Sequence, residues 1–223
     1  MKKISKSLVC VSVLAALGMS QAALAESPLT GNIGFASNYI WRGLTQTGDG
    51  SAISGGIDYA QSGFYAGVWV SNESWTATPG YEEDLYLGYG GSASGLSYDI
   101  SYIKYGYPVG TGKDDFAEAI LKLGYGPATF TYAKTVSKED GAALKDDSYM
   151  SLSAVFEVKK DLSLGLTYGS YDFEAAGADY THIQVSLSKG DFTFAYDKVS
   201  PDVDGAYSDD PRMSVTWKKS FDL

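Results

Sequence analysis

From Gly31 to Phe221, apolar side chains recur at every second position in short blocks, with Ser, Thr, Asp or Glu between them. Residues 96–102 read Leu-Ser-Tyr-Asp-Ile-Ser-Tyr, and 150–158 read Met-Ser-Leu-Ser-Ala-Val-Phe-Glu-Val. A period of two marks a strand with one apolar and one polar face, because successive side chains point to opposite sides of a pleated sheet. The pattern predicts twelve strands: 31–42, 51–60, 64–71, 83–91, 96–105, 116–125, 128–135, 148–158, 162–171, 180–188, 192–199 and 212–221. Most approach the ~9–11 residues that a tilted strand needs to cross a bilayer.

The connections alternate in length. Tight turns at Gln61-Ser62-Gly63, Ser92-Ala93-Ser94-Gly95, Gly126-Pro127, Lys159-Lys160-Asp161 and Lys189-Gly190-Asp191 alternate with longer polar segments at 43–50, 72–82, 106–115, 136–147, 172–179 and 200–211. A soluble sandwich has no reason to keep its long loops at one end. An outer-membrane barrel does, with short turns toward the periplasm and long loops outside. The fold expected is therefore an all-β, transmembrane, antiparallel up-and-down β-barrel. An even strand count would put both termini on the periplasmic side.

Aromatic residues fall where a membrane interface would place them. Tyr59, Phe64, Tyr89, Tyr98, Tyr125, Phe130, Phe156, Phe192 and Phe221 take the apolar parity beside the short turns; Tyr39, Trp41, Tyr132 and Tyr196 take it near the long loops. Two such bands read as the girdles of a membrane barrel. The charges on the same parity (Glu83, Lys104, Lys134, Lys198 and Lys219) all sit at strand ends, where the cost of a charge facing lipid falls to ~0–1 kcal/mol. A soluble periplasmic sandwich or lipocalin-like barrel would explain the alternation, but neither the loop asymmetry nor the girdles.

Residues 1–25 read as a cleaved secretory signal: Lys2, Lys3 and Lys6, an apolar run from Leu8 to Met19, then Ala23-Leu24-Ala25. The mature chain, 26–223, is then one barrel domain without cysteine, since Cys10 lies in the leader. It carries 14 basic against 27 acidic side chains, which excludes nucleic acid as a partner because that binding rests on Lys and Arg neutralising phosphates. The six long connections hold 16 of the acids and, as cations, only Lys113, Lys138 and Lys145, so the outer mouth is expected to be acidic.

The segment from Ser37 through Asn38, Tyr39, Ile40, Trp41, Arg42, Gly43, Leu44, Thr45 and Gln46 to Thr47 resembles the opening of the TorF-type porins, a family of small Gram-negative outer-membrane proteins. The likeness continues through Gly55–Tyr59, Ser62–Gly67, Val70–Asn72, Glu83–Tyr89, Leu96–Asp99 and Lys219–Phe221. It implies a barrel classed as a porin, and brings no mechanism or solute with it. Barrels of this kind usually end on an aromatic residue; here Asp222 and Leu223 follow Phe221.

No catalytic, cofactor or metal site is predicted. The sole histidine, His182, shares the polar parity with Tyr180, Gln184 and Ser186, which makes it luminal lining rather than a base beside a nucleophile. Asp146-Asp147, Asp202-Val203-Asp204-Gly205 and Asp209-Asp210 lack the spacing of a calcium loop. The polar parity nominates Asp58, Asp84, Asp99, Glu118, Lys122, Glu157, His182, Asp197 and Arg212 as pore-lining, with Lys218 beside them. Rings of carboxylates favour cations. The expected function is passive diffusion of ions or small polar solutes through an outer-membrane porin-like channel with mild cation preference. The alternative is a lumen closed by pairing of these acids with Lys122 and Arg212, in a structural or surface-interaction barrel; an outer-membrane hydrolase ranks third. The expected partners are outer-membrane lipid and lipopolysaccharide, the outer-membrane assembly machinery, and small polar solutes or cations.

Overall fold

The computed structural model describes residues 28–74, 79–109, 115–138, 146–174, 178–200 and 208–223; the leader and the 202–205 acidic motif lie outside these. Twelve strands close a barrel: β1 (Leu29–Ala36), β4 (Ala52–Gln61), β5 (Phe64–Glu73), β6 (Gly80–Ala93), β7 (Leu96–Gly106), β8 (Phe116–Tyr125), β9 (Ala128–Lys138), β10 (Ser148–Lys159), β11 (Leu162–Asp172), β12 (Tyr180–Lys189), β13 (Phe192–Val199) and β14 (Arg212–Asp222). Each pairs antiparallel with its neighbours, and β1 closes against β14 from Thr30↔Asp222 to Ala36↔Thr216. Closure leaves the wall no unpaired edge. The first and last wall strands begin and end at the short-turn rim, so both ends of the described chain lie on one side.

Burial is inside-out. The outward parity carries Ile53 (66% exposed), Ile100 (62%), Leu152 (60%) and Met213 (79%), while Glu118 (1%), Asp197 (1%), Glu82 (2%), Asp84 (2%) and His182 (4%) are buried. Each large apolar side chain held in water forgoes ~1.5–3 kcal/mol of burial, so a belt of them fits a lipid solvent rather than an aqueous one. Phe64, Tyr125, Phe192 and Phe221 ring the short-turn end of that belt and are exposed. Phe221 also covers Gly31 on the neighbouring strand, where a Cβ would lie 2.6 Å from its ring.

The first predicted strand needs correction. β1 leaves the wall after Ala36, and residues 37–47 turn into the lumen as a hairpin, β2 (Ile40–Trp41) and β3 (Leu44–Thr45), paired Ile40↔Thr45 and Trp41↔Leu44. The turn is Arg42-Gly43, with φ of 49° and 87°. Ser62-Gly63 (53°, 88°) and Ser94-Gly95 (53°, 84°) have the same two positive angles, the type I′ geometry whose twist suits two-residue hairpins. Residues 43–47 are thus luminal rather than an outer loop, and Tyr39 and Trp41 do not belong to the lipid-facing girdle. A continued strand would have sent both rings outward; folding the segment inward fills a lumen that twelve strands leave wider than their own side chains can pack.

Two further boundaries move. β5 and β6 extend to Glu73 and from Gly80, so Glu73 (3% exposed) and Glu82 (2%), expected in an outer loop, are buried on the lumen side. Asp147, placed in the 136–147 loop, is buried as well.

A Cβ at position 43 would fall 2.7 Å from Cβ of His182 and 2.9 Å from Cγ1 of Val199, on a backbone that disfavours L side chains. Gly43→Val should therefore unseat the hairpin without opening the wall. Trypsin is expected to cut at Arg42 in the variant and not in the wild type, with both keeping the change of SDS-gel mobility on boiling that marks a folded membrane barrel; equal protection of Arg42 would count against the hairpin's position.

Candidate functional site: the plugged lumen

The hairpin is internally braced before it meets the wall. Gln46 N donates to Tyr39 O (2.7 Å), Tyr39 N to Thr47 Oγ1 (3.1 Å), and Thr45 Oγ1 to Asn38 Oδ1 (2.7 Å). The polar residues of the 37–47 motif thus satisfy backbone and side-chain groups that would otherwise be stranded inside the barrel. Two contacts fasten its ends: Ser74 N donates to Gln46 O (2.8 Å), and Asp49 accepts from both Asn38 Nδ2 and Arg212 Nε at 2.8 Å. Slight burial pushes the Asp49 carboxyl up, but the hydrogen bonds from Arg212 and Asn38 outweigh it and hold its pKa below the usual carboxylate value.

At the tip, Arg42 meets Glu118 in a two-pronged ion pair, Nη1 to Oε1 at 2.8 Å and Nη2 to Oε2 at 2.7 Å, with side chains 6% and 1% exposed. The planar guanidinium fork matches a carboxylate edge, which is why arginine suits buried pairing. Tyr105 Oη adds a third donor to Glu118 at 3.2 Å. Three rings surround the cation: the Arg42 Cζ lies 4.1 Å from the Tyr149 centroid, 4.3 Å from Trp41 and 5.1 Å from Tyr171. Desolvated cation–π contacts contribute ~2 kcal/mol or more each at best. Trp41 in turn packs edge-on against Tyr105 (5.8 Å) and Phe116 (6.3 Å). Tyr39 packs on Trp69 (5.6 Å) and donates to Glu82 (3.3 Å), fixing the other flank.

Above the hairpin, toward the long loops, opens a vestibule of about 580 Å³. Trp41, Phe116 and Tyr171 form its floor, with Tyr107, Phe173 and Tyr180 around it, and the pairs Lys138–Asp147 and Asp49–Arg212 lie at its edge.

The residues nominated from the sequence separate by depth. Glu118 is the hairpin's anchor and pairs with Arg42, not with Lys122. Arg212 pairs with Asp49 at the mouth, not with a wall acid. His182 lies beside the turn, its Nε2 2.9 Å from Tyr149 Oη, and its Nδ1 finds no partner among the described residues. Asp197 accepts from Gln184 (2.9 Å). Asp84 is buried on β6, its Oδ1 lacking a partner among the described residues. Toward the short-turn end, Asp58 accepts from Asn32 (2.9 Å) and from Tyr86, while Asp99 accepts from Tyr65 (2.8 Å) and stands opposite Lys122 in the β7–β8 register. Glu157 is exposed near the short-turn rim, two residues from the end of β10.

Sequence reasoning passed over Arg42, Glu73 and Glu82. The signal that could have found Arg42 is the dipeptide Arg42-Gly43, which reads as a hairpin turn as readily as Ser62-Gly63 does.

A family model described as "Bacterial protein of unknown function (Gcw_chp)" matches residues 21–221. The chain belongs to this family. The TorF-type likeness remains one of residues, as the Gcw_chp description assigns no function. No curated protein matches the chain. A solved structure described as "Unveiling the Mechanism Behind the in-meso Crystallization of Membrane Proteins" is similar with a TM-score of 0.55 at 8% identity, over 87% of this chain and 83% of that one, a likeness of fold alone. Two Acinetobacter baumannii structures, OccAB4 and OccAB3, align at 14% and 12% identity over 89% and 85% of this chain, with TM-scores of 0.42 and 0.39. This Gcw_chp chain spans 63% and 60% of their lengths.

Because both partners of the Arg42–Glu118 pair are buried, removing one strands the other. Glu118→Ala should destabilise by ~3–5 kcal/mol, whereas the double apolar variant Arg42→Leu/Glu118→Leu should cost much less. Urea unfolding in lipid vesicles reads the difference; equal losses in the single and double variants would contradict an interlocked pair.

Proposed function

We propose that this Gcw_chp chain is an outer-membrane, porin-like channel for small polar solutes and cations, held closed at rest by the 37–47 hairpin. The observation that carries the reading is the hairpin's attachment. It is tethered to the wall through its ends and held across the lumen by the Arg42–Glu118 salt bridge, its rings and a few hydrogen bonds, with Asp49–Arg212 fastening one end, so it can be released without breaking the wall. In this reading residues 1–25 are a cleaved export signal, the short turns and both termini face the periplasm, and the vestibule faces outside. Lipid and lipopolysaccharide surround the apolar belt, and the outer-membrane assembly machinery inserts the barrel.

Cation preference follows from the charges left after pairing. With Glu118 paired to Arg42, the acidic side chains Asp58, Asp84, Asp99, Asp197 and Glu82 still outnumber the basic Lys122 and Lys218 on the lumen face. A lumen of that sign raises the local concentration of cations. The close packing of the hairpin favours a second reading, a permanently filled barrel acting through its outer surface.

Recording from refolded protein in planar bilayers separates the two. The channel reading expects brief, infrequent steps in the wild type, with a reversal potential displaced toward the cation equilibrium in a salt gradient. It also expects that displacement to shrink in Asp84→Asn/Asp99→Asn. Anion preference, or silence from protein that shows the heat-dependent gel shift, would overturn it.

A further inference from the structure

Arg42 is held in a site built for its chemistry. A guanidinium sits in the middle of the lumen against a carboxylate that offers both oxygens (2.7 and 2.8 Å), between Tyr149 and Trp41 with Tyr171 alongside. The carboxylate supplies charge and two hydrogen bonds, and the rings supply negative π faces; together these are the elements by which proteins select organic cations over hydrated metal ions. Here the cation belongs to the chain itself, on a hairpin whose strands are only two residues long.

The cage is continuous with the vestibule. Trp41 and Tyr171 contribute to both, and Phe116, stacked on Tyr105 at 4.5 Å, joins the floor to the residues around Glu118. A solute arriving from the long-loop side would cross an aromatic cup of about 580 Å³, large enough for a small organic molecule. The basic side chains on its edge, Lys138 and Arg212, already face Asp147 and Asp49, so the cup does not repel a cation.

We infer that Arg42 is a resident stand-in for the solute: the vestibule and the Glu118 cage together bind a small organic cation of the guanidinium class, which enters by displacing Arg42 and thereby releases the hairpin. The inference rests on the channel reading and names its solute class. It also accounts for the choice of Arg over Lys at the tip, since a planar fork, not a point charge, fits both Glu118 oxygens.

The test uses the full mature barrel refolded in detergent or vesicles, with ethylguanidinium (the part of the side chain that Arg42→Ala removes) as probe and its neutral isostere ethylurea as control. Binding is followed by tryptophan fluorescence, with Trp41 at the site. Arg42→Ala is expected to bind ethylguanidinium at least tenfold more tightly than the wild type, whose site is filled. Arg42→Ala/Glu118→Gln should lose that gain, and ethylurea should bind none of the three measurably. In the wild type, high ethylguanidinium should expose Arg42 to trypsin, a readout that does not depend on the alanine variant folding. Ethylurea binding as well as ethylguanidinium, indifference to Glu118→Gln, or an Arg42 that stays protected at saturating ethylguanidinium would each overturn the inference. Binding and displacement in a barrel that never conducts would sink the channel reading instead and leave the cation site standing.

Discussion

The buried charge pair of Arg42 and Glu118 is the interaction on which the interior depends. Twelve strands enclose more space than their inward side chains fill. A filling segment brings backbone amides and a charge into a place with little water, where each group needs a partner. Glu118 supplies that partner at the hairpin tip, the Asn38–Thr45–Thr47 network satisfies the segment internally, and Asp49 and Ser74 hold its ends. Without the pair, the aromatic contacts of Trp41 would have to hold a hairpin that leaves a carboxylate stranded.

The wall was almost wholly legible from the period-two pattern, because lipid outside and polar groups inside act on every strand. Parity identified the outward faces of β7, β10, β11 and β14, and the positive-φ glycines of the short turns fall where the sequence placed them. Apart from the short boundaries of β5 and β6, the pattern failed at the end of the first strand. Residues 37–42 keep the alternation of 31–36, so Tyr39 and Trp41 resemble a girdle and Arg42 resembles a luminal residue on a continuous strand. A two-residue strand has no period of its own, and nothing local says that the chain has left the wall.

The site was half legible for the same reason. Parity shows which face a residue takes, and Asp58, Asp84, Glu118, His182 and Asp197, all on the polar parity, are buried within the barrel. It cannot show which residue a side chain meets across the barrel, since that depends on strand stagger and on the hairpin inside. Hence Glu118 meets Arg42 rather than Lys122, and Arg212 meets Asp49, 163 positions away. Glu73 and Glu82 were lost to a boundary error of a few residues, and Glu157, nominated as pore-lining, lies near the short-turn rim.

A lumen closed by a tethered segment differs physically from one closed by packed wall side chains: the first can open while the barrel stays intact. The most direct measurement is single-channel conductance of a barrel in which residues 38–50 are replaced by a short Gly/Ser linker, so that β1 still connects to β4. The account predicts long-lived, cation-preferring openings in the shortened barrel against a mostly closed full chain. Equal and low conductance in both, from barrels of equal thermal stability, would contradict it.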